Sequence, residues 1–119
     1  MQSKPEQLRD RTKAFALRVI RLFRSLPYKT DTQVLGKQLL RCGTSVAANY
    51  RAACRARSKA EFIARIGIVA EEADETVLWL ELLIESGILE TEMTKNLLEE
   101  AKQLAAILTA SQQTAKRTA

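Results

Sequence analysis

Residues 58–87 read SKAEFIARIGIVAEEADETVLWLELLIESG. Ser58 and Glu61 have the spacing of a capping box, in which each end closes an orphan donor of the first turn. Phe62, Ile66, Val69, Ala73, Val77, Leu80 and Ile84 recur at three/four spacing, which is one stripe of a helix. Gly87 is placed as a left-handed stop, with Ile88 folding back onto the last turn. The stretch therefore predicts a helix over 58–86. Ile63, Ile68, Leu78, Trp79, Leu82 and Leu83 spread further apolar surface around its C-terminal half. A helix that apolar is covered on more than one side. In a lone four-helix bundle one face of each helix stays wet, so the excess predicts contacts between subunits through Leu78, Trp79, Leu82 and Leu83.

Three more helices flank this one. A first is expected over 3–26, where Ser3 and Glu6 form a second capping box and Pro5 is tolerated in the first turn. Its stripe is Leu8, Thr12, Phe15, Val19, Leu22 and Leu26, and Pro27 ends it. A second is expected over 32–56 on the stripe Leu35, Leu39, Cys42, Val46, Asn49 and Ala53. Gly43 in mid-helix costs up to about 1 kcal/mol against alanine, which close approach of another helix would explain. The junction at Ala56, Arg57 and Ser58 demands a sharp corner or a nearly continuous bent helix. A fourth helix is expected over 91–112 on Met93, Leu97, Ala101, Leu104, Leu108 and Ser111, followed by a frayed basic tail over 113–119. Short connections make consecutive helices antiparallel. The fold class is all-α, an antiparallel up-and-down four-helix bundle in a single domain spanning 1–119.

Composition agrees. The chain has 119 residues, two prolines, four glycines and 5% aromatics, which favours long helices over a sheet. No apolar run approaches the ~20 residues of a membrane span, and the first residues lack a signal-peptide core, so a cytoplasmic protein without membrane contact is expected. Cys42 and Cys54 fall on one expected helix, ~18 Å apart, too far to bridge, and their spacing matches no zinc motif. Histidine is absent, which excludes His-based triads and the carboxylate–histidine di-iron pattern, and there is no Gly-rich phosphate loop. Glu71, Glu72, Asp74 and Glu75 read as a wet or salt-bridged helix face rather than an acid–base site. No cofactor, no metal and no catalysis are expected.

Charge is divided along the chain. Residues 1–57 hold thirteen Lys or Arg against three acids, a balance of +10, and residues 58–119 hold six against eleven, a balance of −5; together they give the overall +5. Lys37, Arg41, Arg51 and Arg55, with Thr44 and Ala48 between them, stay within about 40° of one line opposite the apolar stripe of the second helix. Arg57 lies just beyond. The first helix adds Arg11, Arg18 and Arg21. The stripe of the second helix spans about 27 Å over eighteen residues and suits phosphate, and arginine suits carboxylate equally well. The basic half therefore faces either a polyanion or the acidic half, within one subunit or across two. With Tyr28 and Tyr50 the only evident stacking aromatics, recognition of backbone or shape is favoured over base reading.

The strings Arg41-Cys-Gly-Thr-Ser45-Val-Ala-Ala-Asn49-Tyr-Arg, Arg55-Ala-Arg57-Ser58-Lys-Ala-Glu61-Phe62, Glu72-Ala-Asp74-Glu75 and Trp79-Leu-Glu-Leu-Leu resemble the four-helix-bundle family named for the 23S ribosomal RNA intervening sequence protein. The resemblance covers most of the chain. It implies an up-and-down bundle assembled as a ring, a homopentamer, encoded within ribosomal RNA gene insertions or as a free-standing gene. A distant relative, the accessory protein of diversity-generating retroelements, is also a five-fold ring; it binds nucleic acid and partners a reverse transcriptase. Many members carry Glu-Gly where this chain has Ala52 and Ala53, so a role of that glutamate does not transfer.

Ser45 and Asn49 lie one turn apart on the apolar side of the second helix, so a buried polar network of Ser45, Asn49 and Glu72 is expected to fix helix register; a polar ligand pocket is the other reading. The function expected is a non-catalytic, ring-forming bundle that binds RNA or DNA through Arg11, Arg18, Arg21, Lys37, Arg41, Arg51, Arg55 and Arg57, as a scaffold or accessory to another protein. The rival is a structural or protein-interaction oligomer with no nucleic-acid ligand.

Overall fold

The computed structural model describes residues 2–118. Four helices follow in order: α1 (Lys4–Ser25), α2 (Thr30–Ala53), α3 (Lys59–Glu85) and α4 (Glu92–Arg117). They form an antiparallel up-and-down bundle, with no strand among the described residues. Polar side chains set the starts. Ser3, Ser58 and Thr91 accept from the backbone N–H groups of Glu6, Glu61 and Thr94 at 3.2, 3.1 and 3.2 Å. Each such cap is worth about 1 kcal/mol. α2 has no side-chain cap at Lys29; Asp31 Oδ1 accepts the Thr32 N–H at 2.7 Å instead. Gly87 stops α3 at a φ of +79°, the left-handed geometry glycine adopts without cost. Ile88 and Leu89 then pack against the core.

Two boundaries differ from the sequence expectation. α2 ends at Ala53, and residues 54–58 make a true corner instead of a bent helix. The Arg55 and Ala56 N–H groups turn to the carbonyls three residues back, Ala52 and Ala53, and Ser58 is extended at φ −151°. α4 continues past Gln112 to Arg117, so the expected frayed tail is largely helical. The start of α3 gives it a surface to lie on. Ala115 is buried, Gln112 Nε2 donates to the Ile63 carbonyl at 3.3 Å, and Lys59 Nζ donates to Thr118 Oγ1 at 2.8 Å. Ala119, the end of that tail, lies outside the described residues.

α2 packs on α1 and α3, α3 packs on α4, and α1 meets α4 only along a thin seam. The Cα envelope is accordingly flat, 46 × 28 × 18 Å. The core combines Phe15, Val19 and Leu22 with Leu39, Val46 and Tyr50, then Ile66, Val69, Leu80 and Leu83, and finally Leu97, Leu104 and Leu108. α1 approaches α2 so closely that a Cβ at Gly43 would stand 2.7 Å from Val19 Cγ2.

Because α3 sits between α2 and α4, its buried line runs between its two apolar stripes. Thr76 and Leu83 are buried, whereas Phe62, Val77 and Ile84 are only partly so. This corrects the expectation for Leu83. It is fully enclosed by its own bundle and has no surface to offer a second subunit.

Candidate nucleic-acid interface

The outer face of α2 carries the predicted stripe. Lys37, Arg41, Arg51 and Arg55 are all exposed. Their placement on the helix divides them. Arg41 leans towards α3, where its guanidinium lies 3.5 Å from Glu72 and 3.4 Å from Glu75. Arg51 leans the other way, towards α1, where it shares a notch with Arg55, Cys54 and Arg9. Lys37, Arg51, Arg55 and Arg57 have no carboxylate within 4 Å among the described residues. The stripe is thus partly neutralised at its α3 side and reinforced at its α1 side.

The arginines of α1 do not extend that face. Arg11 points to α4 and grips Glu100 with two hydrogen bonds of 2.8 and 2.7 Å, with a third to Gln103 Oε1 at 2.8 Å. The hydrogen bond to Glu100 raises the Arg11 pKa above its ordinary value. This cation is committed to the α1–α4 seam. Arg18 lies ~20° from the Arg11 line by helical geometry, and Arg21 further round. Both have no ion-pair partner among the described residues. Arg9, outside the predicted set, joins Arg51 and Arg55 instead. Only the antiparallel register of α1 on α2 selects it; no spacing within α1 does so.

The predicted polar network forms in part. Asn49 Nδ2 donates to Ser45 Oγ at 2.7 Å and to the Ser45 carbonyl at 3.0 Å. Both side chains are only half-buried, because Tyr50 and Ala53 take the buried line at this end of α2. Glu72 is not part of the pair. It pairs with Arg41 and lies beside Cys42, about two turns nearer the start of α2. There the ligand atoms of Cys42, Glu72 and Glu75 lie within 4.8 Å of one another, the spacing a metal would need. Arg41 Nη2, 3.1 Å from Cys42 Sγ, already supplies positive charge to that cluster. Burial first, and then the negative charge of Glu75, push the Cys42 thiol up to about 12. A metal there would have to displace the Arg41 guanidinium.

On α3, Leu78 and Leu82 are exposed at 47% and 39%, one turn apart, with Ile68 on the same outer side at 44%. Trp79 is half-buried and its indole Nε1 is enclosed without an acceptor.

The chain matches the family described as 23S rRNA-intervening sequence protein over residues 6–110. It belongs to that family. It is also similar to a solved structure of a protein of unknown function from the S23 ribosomal protein family of Bacteroides thetaiotaomicron. The two are 33% identical and superpose with a TM-score of 0.85, over 93% of this chain and 99% of that one. No curated protein matches the chain.

Several of the residues that carry the family resemblance meet at the α2–α3 corner. Ser58 caps α3. Glu61 Oε2 accepts the Arg57 backbone N–H at 3.1 Å, and Glu61 Oε1 accepts from Arg65 Nε at 3.1 Å. These contacts, the Arg57 N–H foremost and the Arg65 hydrogen bond next, hold the Glu61 carboxyl below its ordinary pKa. The Arg57-Ser58 and Glu61 pairing therefore shapes the corner backbone and leaves the Arg57 guanidinium without a carboxylate partner among the described residues. No helix among the described residues is long and apolar enough to cross a membrane.

Proposed function

We propose that this protein is a non-catalytic, self-assembling bundle that holds the backbone of RNA or DNA on the outer face of α2, as a scaffold or accessory to another protein. The observation that carries this reading is the exposure of Lys37, Arg51, Arg55 and Arg57 without carboxylate partners among the described residues. Arg41 contributes less, since Glu72 and Glu75 share its charge. Arg11 contributes nothing while bound to Glu100. Arg18 and Arg21, on other faces of α1, are not part of this surface. The name of the family, tied to an insertion in ribosomal RNA, favours RNA as the polyanion.

Phosphate contacts release counterions, so log K falls against log salt by ~0.7 to 0.9 per contact. Four cations give a slope of about −3. In a gel-retardation titration across salt, Arg51→Gln with Arg55→Gln is expected to flatten that slope by nearly two and weaken binding. Arg11→Gln should leave it unchanged. Absence of retardation of RNA and DNA alike at low salt defeats the proposal.

Assembly is the second part of the reading. Leu78 and Leu82 present apolar surface beside the exposed acids Glu71, Asp74 and Glu85 of α3. A second copy packing there would form the homo-oligomer, a pentameric ring as the resemblance implies, and would multiply each cationic face. Light scattering at micromolar concentration tests it: Leu78→Glu with Leu82→Glu should give monomers, and a monomeric unsubstituted protein overturns the ring. If the basic face of one copy instead docks on the acidic α3 of the next, the oligomer itself consumes those charges. In that case the rival structural role stands, and assembly, not nucleic-acid binding, becomes salt-sensitive.

A further inference from the structure

The end of the bundle where α1 begins and α2 finishes contains a notch of about 220 Å³ lined by Arg9, Arg51, Cys54 and Arg55. We propose that this notch binds a phosphate monoester. It goes beyond backbone tracking, because a small anion can occupy it whether or not a strand lies along α2.

Three arginines line the notch and no carboxylate does. The acid one turn before Arg9 on the same side of α1 is Glu6, and its Oε1 is turned back to accept from Ser3 Oγ at 3.0 Å. Like charges brought together without a counter-charge repel, and a bound anion relieves that repulsion. The C-terminus of α2 supplies only ~−0.5 of partial charge. That offsets one arginine at most and leaves a clear positive excess. Guanidinium forks bind tetrahedral oxyanions through paired hydrogen bonds, so three forks suit one oxyanion approached from several sides. A monoester carries about −1.5 to −2 charges at neutral pH, against one per phosphate within a strand. The notch thus favours a terminal phosphate over an internal diester. The end of a strand and a free nucleotide both present that group.

Cys54 is exposed on the wall and reports occupancy; Cys42 is buried and silent. The full-length protein is alkylated with iodoacetate, an anion, and with neutral iodoacetamide, at constant ionic strength set with chloride. The probes are inorganic phosphate, adenosine monophosphate and an oligonucleotide carrying either a 5′-phosphate or a 5′-hydroxyl. Phosphate and the monophosphate are expected to slow iodoacetate at Cys54 roughly tenfold, since the anion blocks and repels the reagent. Protection by the 5′-phosphate beyond its 5′-hydroxyl counterpart identifies a strand end as a source. Protection by the small phosphates alone identifies a free ligand. Either result supports the notch, and either should vanish in Arg9→Gln with Arg51→Gln and weaken in Arg55→Gln, with circular dichroism confirming the fold. Protection no greater than chloride gives, or protection unaltered in these variants, overturns the proposal. Equal binding of the 5′-hydroxyl and 5′-phosphate strands without such protection would do so while leaving backbone binding intact.

Discussion

Replacing Gly43 and Gly67 by alanine, one at a time, is expected to move stability in opposite directions. In a free helix both changes stabilise by about 1 kcal/mol. At Gly43 the new Cβ would stand 2.7, 2.8 and 3.1 Å from three side-chain carbons of Val19. Val19 is fully buried and β-branched, so its χ1 is fixed in a helix and cannot swing away. α1 must then separate from α2, and overpacking of this kind costs about 1–3 kcal/mol. With a rigid neighbour the upper part of that range applies, and the net effect is a loss of about 1–2 kcal/mol. At Gly67 the nearest atom is Gln112 Nε2 at 2.5 Å, the far end of a flexible side chain. Gln112 can rotate away, giving up only a 3.3 Å hydrogen bond to the Ile63 carbonyl. The net gain there is about 0.5 kcal/mol. For a domain of this size, 1 kcal/mol moves Tm by about 3–6 °C. Thermal melts by circular dichroism read both signs. Val19→Ala in the Gly43→Ala background should recover part of the loss, giving a favourable coupling in a double-mutant cycle. A raised Tm for Gly43→Ala, or no coupling to Val19, would refute this register of α1 on α2.

Two further outcomes are expected. The Arg11–Glu100 pair spans the thin α1–α4 seam, so a cycle of Arg11→Met and Glu100→Leu measured by denaturant unfolding should give a coupling of about 1 kcal/mol; a value near zero would mean that the seam is held by apolar contact alone. Cys42 keeps its proton up to about 12 in the folded chain, whereas the unfolded thiol ionises near 9.0. Its contribution is intact below the unfolded value and fades as pH rises between the two. Cys42→Ala should therefore flatten the alkaline decline of stability above pH 9.0, and an unchanged decline would count against it.

Local signals carried by neighbouring residues are legible in the sequence itself. Ser3, Ser58 and Thr91 cap because a hydroxyl within three residues of an orphan N–H needs nothing distant. Gly87 stops α3 because a left-handed φ is cheap only for glycine. The stripe Phe15, Val19 and Leu22 could face nothing but a core. Gly43 even signals a close neighbour, though not that Val19 is the one.

Less is legible wherever the outcome depends on which helix lies alongside. Leu83 reads as excess surface on α3, yet α2 and α4 close over it, and Leu78 and Leu82 keep the outside. Residue type suits Glu72 to Asn49, but the facing of α2 on α3 gives it to Arg41. The positive half of the chain is countable from its residues. Which of those charges remain free is not, because pairing is decided at contact distance. Arg11 meets Glu100 across 89 positions of sequence, Arg41 meets Glu72 and Glu75, and Arg9 lines one notch with Arg51 and Arg55. Periodicity and caps act within a few residues of one another, so the chain alone determined four helices and the core line of α1 and α4, though not the buried line of α3. Charge neutralisation acts through space between helices, so only the packed bundle decided where this protein is left electropositive.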